Sequence, residues 1–192
     1  MMIDEYLDYD TDSTVTNLFE CFPMVENLST CISTIEGFAE NGLPQVLPMP
    51  LIHLKYVYIS DMSFMYKYGL QFLLFLIRSS PNLEKLKLQV DDRYYYYCED
   101  PVLQSHKCSS TLQNCSDIWL KHLNVLEILD LSNKKHELDF VKFILAKSPM
   151  LKKVKIYLCK RAHKDDKLQV SEILLSTQRA SLVVEIIVEN VV

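Results

Sequence analysis

The feature that most constrains this chain is an apolar triplet that returns at nearly constant intervals. Its form is apolar, two residues, apolar, one residue, apolar. The clearest copies are Leu54/Val57/Ile59, Leu83/Leu86/Leu88, Leu123/Leu126/Ile128 and Leu151/Val154/Ile156. A weaker copy, Val25/Leu28/Thr30, comes first and a degenerate one, Ser181/Val184/Ile186, comes last. Their first positions, 25, 54, 83, 123, 151 and 181, are 29, 29, 40, 28 and 30 residues apart. A sustained period of this length marks a repeat architecture, at the long end of the leucine-rich range. The last two apolar positions of each copy are spaced by two, which predicts a strand.

The intervening segments carry helical spacing. Leu70, Leu73, Leu74 and Ile77 predict a helix over 66–79. Leu138, Val141, Ile144 and Leu145 predict one over 135–147, and Val170, Ile173 and Leu174 one over 166–177. Ser80-Pro81 and Ser148-Pro149 end the first two, because proline disfavours helical geometry in the residue before it. A lone strand-loop-helix unit cannot bury both of its apolar faces, whereas stacked units can. The expected fold is α/β, a leucine-rich-repeat solenoid with a parallel β-sheet on the concave side and helices on the convex side. A doubly wound sheet is the competing architecture. With only 3 glycines in 192 residues, its glycine fingerprint is missing.

Charge divides the chain unevenly. Residues 1–12 hold five acids (Asp4, Glu5, Asp8, Asp10, Asp12) and no base, so the remainder carries 20 acids and 20 bases. Residues 1–12 are expected to be an acidic, disordered arm. A neutral body lacks the field that draws nucleic acid or anionic lipid, so neither partner is expected. The longest apolar stretch, 70–77, falls well short of the ~20 residues that span a bilayer. The acidic N-terminus does not read as a secretory signal. The six cysteines are therefore expected as reduced thiols in a cytoplasmic or nuclear protein. Cys21, Cys31 and Cys159 border apolar segments and are expected to be buried.

Aligned on the triplets, residues 22–192 resemble the C-terminal part of plant F-box/FBD/leucine-rich-repeat proteins. The resemblance is carried by LPMPLIHLKYVYI (47–59), LIRSSPNLEKLKL (76–88), DIWLKHLNVLEI (117–128), HELDFVKFILAKSPMLKKVKIYL (136–158) and ASLVVEIIVEN (180–190). It implies a leucine-rich-repeat region over 13–116, with a Tyr/Cys-rich insertion at 91–116, followed by an FBD-like region over 117–192. It also implies a substrate receptor of a cullin-type ubiquitin ligase, in which an F-box docks on the adaptor subunit and the repeats bind the target. Residues 1–21 do not supply the length or pattern of an F-box, and Leu43-Pro44 leads into repeat sequence. Adaptor binding is therefore carried over to no residue here.

The residues between the apolar positions are expected to face out of the sheet. The central row reads Ser29, Tyr58, Lys87, Glu127, Lys155 and Glu185, the last four alternating in sign. A neighbouring row adds Tyr56, Lys85 and Lys153, and Tyr157 extends the patch. This surface reads either as a ladder that fixes register or as a protein-binding face, for which tyrosine is well suited. The insertion, with Tyr94, Tyr95, Tyr96 and Tyr97, is a second candidate for protein contact.

Nothing in the sequence suggests catalysis. There is no phosphate loop, HExxH or GxSxG motif. Cys98, His106, Cys108 and Cys115 lack the paired spacing of a zinc site, and Cys159 with His163 stands alone. No cofactor or metal is expected. The function expected is that of a non-enzymatic interaction module with an unnamed protein target. The alternative is a truncated decoy or structural repeat protein with no ligase role. Eight of the eleven residues from 182 to 192 are apolar, which predicts self-association through a C-terminal strand edge.

Overall fold

The computed structural model describes residues 15–39, 42–64, 68–91, 108–162 and 164–190. Along the chain run α1 (Val15–Glu20), β1 (Asn27–Cys31), α2 (Ile32–Ala39), β2 (Tyr56–Met62), α3 (Gly69–Ser79) and β3 (Lys85–Val90). Then follow α4 (108–113), β4 (Val125–Leu131), α5 (Lys135–Lys147), β5 (Lys153–Leu158), α6 (Lys164–Leu175) and β6 (Glu185–Asn190). The acidic arm 1–12 and the tyrosine run 94–97 lie outside the described residues.

The six strands form one sheet in the order β1-β2-β3-β4-β5-β6, and every pairing is parallel. Each strand therefore neighbours the strands before and after it in sequence, which is compatible with a repeat solenoid. The first apolar position of each clear copy sits just before its strand. Val25, Leu54, Leu83, Leu123 and Leu151 each close a tight turn with an N–H bond to the carbonyl three residues back. The turns are then linked through shared carbonyls. Glu26 O accepts from Lys55 N and Tyr56 N, and Lys55 O, Glu84 O and Asn124 O repeat the arrangement one unit on.

Burial alternates along the strands as the triplets require. Val57, Leu86, Leu126 and Val154 are at most 1% exposed, as are Ile59, Leu88, Ile128 and Ile156. Phe72, Leu73, Phe140, Val141 and Ile144 bury the inner faces of α3 and α5 in the same core. Ser80 and Ser148 cap these helices with ψ of 76° and 86°, outside the helical region that the following proline disfavours. At the first unit, α1 contributes buried Val15 and Phe19, and the Phe19 ring lies 6.2 Å from Phe75.

Two strands contain an extra residue. In β2 and β4 the inward positions step from Ile59 to Met62 and from Ile128 to Leu131, with a register irregularity in each. Asp61 (φ 52°) and Asp130 (φ 60°) take the left-handed conformation there, which aspartate tolerates better than most side chains.

Two sequence expectations need correction. The sixth copy was aligned two residues early, since Val154 pairs with Ile186 and Ile156 with Val188. The stretch 182–188 is apolar at six of seven positions and so offers more than one register. The turn takes Leu182 and Val183, and Ser181 instead donates its hydroxyl to Leu151 O at 2.6 Å. The cysteines also sit differently. Cys21 is exposed and Cys31 and Cys159 are half-buried, whereas Cys108, at the start of α4, and Cys115, just after it, are buried. From residue 108 on the chain is thus packed, with Leu112, Ile118 and Leu120 sharing the core with these two thiols.

Candidate interaction face

One face of the sheet is covered by helices. The other presents side chains held at fixed spacing by the parallel register, with strands about 4.8 Å apart. Its first row is Asn27, Tyr56, Lys85, Val125, Lys153 and Glu185, and its second is Ser29, Tyr58, Lys87, Glu127, Lys155 and Ile187. Glu185 therefore belongs to the first row, not the central one. The alternation Lys87, Glu127, Lys155 stands, and it ends on an apolar neighbour.

The first half of the face is tied to itself. Glu127 Oε1 lies 2.9 Å from Lys87 Nζ and its Oε2 lies 3.3 Å from Lys85 Nζ. The two ammonium groups also lie over tyrosine rings, Lys85 at 5.3 Å from Tyr56 and Lys87 at 5.7 Å from Tyr58. Partial burial opposes the Glu127 charge, but bonds and charge from Lys87 and then Lys85 outweigh it and hold the carboxyl below its usual range. The Lys87 ammonium is raised, chiefly by its bond to Glu127. Burial pushes the Tyr58 hydroxyl up, with Lys87 opposing. That hydroxyl donates to Gln89 Oε1 at 2.8 Å, and Gln89 Nε2 donates to Asp130 Oδ2 at 3.2 Å.

The second half is looser. Lys153 pairs with Glu185 at 3.0 Å. Lys155 has no ion pair among the described residues and stands beside Ile187, while Tyr157 stands beside Glu189. The structure thus brings Tyr56, Tyr58, Lys85, Lys87, Glu127, Lys153, Lys155 and Tyr157 onto one surface. Tyr94, Tyr95, Tyr96 and Tyr97 lie outside the described residues. Gln89 and Asp130 were not anticipated. Asp130 had a signal in the sequence, because the three-residue step from Ile128 to Leu131 breaks the period of two.

Among the described residues no three or more His, Cys, Asp or Glu side chains group as for a metal ion. Cys98, His106 and His163 lie outside them. Burial pushes the Cys108 thiol up to about 12, with the Asp139 charge adding to it, which is opposite to what a nucleophile needs. Among the described residues no helix is long and apolar enough to cross a membrane.

Residues 119–156 match the FBD family. An F-box/FBD/LRR-repeat protein of Arabidopsis thaliana is 26% identical over 157 residues, which are 81% of this chain and 36% of the relative. The chain therefore spans little more than a third of the length of this curated relative. No solved structure matches. The chain thus carries an FBD match in its C-terminal half and is similar over most of its length to an F-box/FBD/LRR-repeat protein of a plant.

Proposed function

We propose that the chain is a non-enzymatic protein-interaction module, the target-recognition part of an F-box ubiquitin-ligase receptor, and that its units form a leucine-rich-repeat solenoid with the sheet on the concave side. The observation that carries this reading is the open sheet face, where tyrosines and lysines from consecutive strands are locked in two rows. Tyrosine gives broad contact at low entropic cost, and an unpaired lysine selects by charge. The target-binding end is the half around Lys153, Lys155 and Tyr157, whose charges are less fully compensated.

A photo-crosslinking amino acid placed at Tyr157 tests this. It should yield a defined adduct in plant extract, and the adduct should disappear when Lys153→Glu and Lys155→Glu are combined. The same probe at Leu168 of α6 should give none. Equal labelling from both positions would count against the sheet face. A second measurement concerns the ligase. Calorimetry of this chain with purified adaptor should show no heat beyond dilution, because no described segment carries the F-box pattern. Micromolar binding would refute that expectation.

A structural or decoy role is the second reading. It is favoured by the bonds among Lys85, Lys87 and Glu127, which satisfy half of the face internally.

A further inference from the structure

Large apolar side chains lie in solvent at the turns that feed the strands. Met24, Ile52, Trp119, Met150, Leu182 and Val183 are between 49% and 97% exposed, and all lie four to seven residues before the first buried position of the strand that follows. They run along one rim of the sheet, apart from the face described above. At the middle of that rim is a cleft of about 540 Å³ with an apolar lining of Val46, Ile77, Pro81, Ile118 and Trp119. A second cleft of about 400 Å³ shares Gln45 and Arg78 with it, so the two adjoin.

The charge around this groove is one-sided. Arg78 is engaged by Asp117 at 3.2 Å. Lys121 lines the cleft and has no ion pair among the described residues. Lys147 Nζ donates to Ser116 O at 2.9 Å and lies 5.1 Å from the Trp119 ring centroid, where it steadies the indole without being neutralised. Three cations thus face one carboxylate. A half-exposed tryptophan in a concave apolar setting has the composition of a binding hot spot.

We propose that this groove binds an extended protein segment with an apolar anchor residue flanked by carboxylates. The anchor enters beside Trp119 and Pro81, and the carboxylates meet Lys121 and Lys147. The site is separate from the sheet face, so the chain offers two protein-binding surfaces.

The chain has a single tryptophan, so its emission reports on this groove alone. The probe is a capped heptapeptide of two glutamates, leucine, proline, phenylalanine and two glutamates. Added to the full chain, it should shift Trp119 emission to the blue, saturably. Lys121→Glu should weaken binding about tenfold, by charge reversal at an exposed site. Lys160→Glu, an exposed turn residue after β5 that lines neither cleft, should leave it unchanged. A peptide with lysines replacing the glutamates should bind at least tenfold less tightly. The proposal is overturned if emission does not change at millimolar peptide, or if the lysine peptide binds equally well. It is also overturned if emission shifts with protein concentration alone, which would give the groove to a second copy of the chain. Loss of the sheet-face adduct described above would leave this result untouched.

Discussion

Ile187 and Val188 are adjacent in the chain and opposite in the sheet. Val188 is 7% exposed and faces the core, whereas Ile187 is half-buried on the open face beside Lys155. Lysine at Val188 should cost about 3 kcal/mol or more, since a buried charge without a partner must be accommodated. Lysine at Ile187 should stay within about 1 kcal/mol. Urea denaturation of the two variants checks this, and similar midpoints would mean that the β6 register is wrong. In the four clear copies the alternation was legible because apolar and polar residues exchange at every step. In β6 it was not, because Ile186, Ile187 and Val188 are all apolar and only the turn at 182–183 decides which pair turns inward.

At the scale of elements, α3 begins where two backbones meet. A Cβ at Gly69 would collide with the carbonyl oxygen of Ser63, a backbone atom that cannot swing away. Gly69→Ala, normally favourable in a helix, should therefore destabilise by roughly 1–3 kcal/mol. A higher melting temperature for this variant would show that the approach is less close. The α3, α5 and α6 helices were legible from spacing, and the ends of α3 and α5 from their Ser-Pro steps. The α2 helix was not anticipated. It begins at Ile32 directly after Cys31, with no turn residues between strand and helix to announce it. The short α4 was hidden by its polar composition, although Cys108 within it and Cys115 just after it proved to be the buried cysteines. The two-row face was legible as far as β5, since it follows from the triplet spacing. Its internal pairing was not, because ion pairs and ring contacts depend on rotamers.

At the scale of the molecule, one buried histidine shapes the response to acid. His136 in α5 is 6% exposed and its ring lies 6.4 Å from Phe64. Burial, and then the Lys134 charge, lower its pKa from 6.5 to about 4, with Asp139 opposing. The folded protein therefore binds this proton less readily than the unfolded chain. Stability is full above the unfolded value and is lost as pH falls from about 6.5 toward about 4, by up to about 3 kcal/mol. His136→Phe should flatten this part of the profile in urea titrations across that range. An unchanged slope would mean that other groups carry it. The parallel sheet itself was legible from repeat spacing, because it needs only the interval and the period of two.

The strand order also has a temporal consequence. Each strand pairs with the one made just before it, and even the 40-residue interval leaves Lys87 opposite Glu127. Among the described residues no strand waits for a partner from the far end of the chain. As the polypeptide leaves the ribosome, every new unit finds its docking edge already in place, so assembly can keep pace with synthesis and an apolar strand spends little time uncovered.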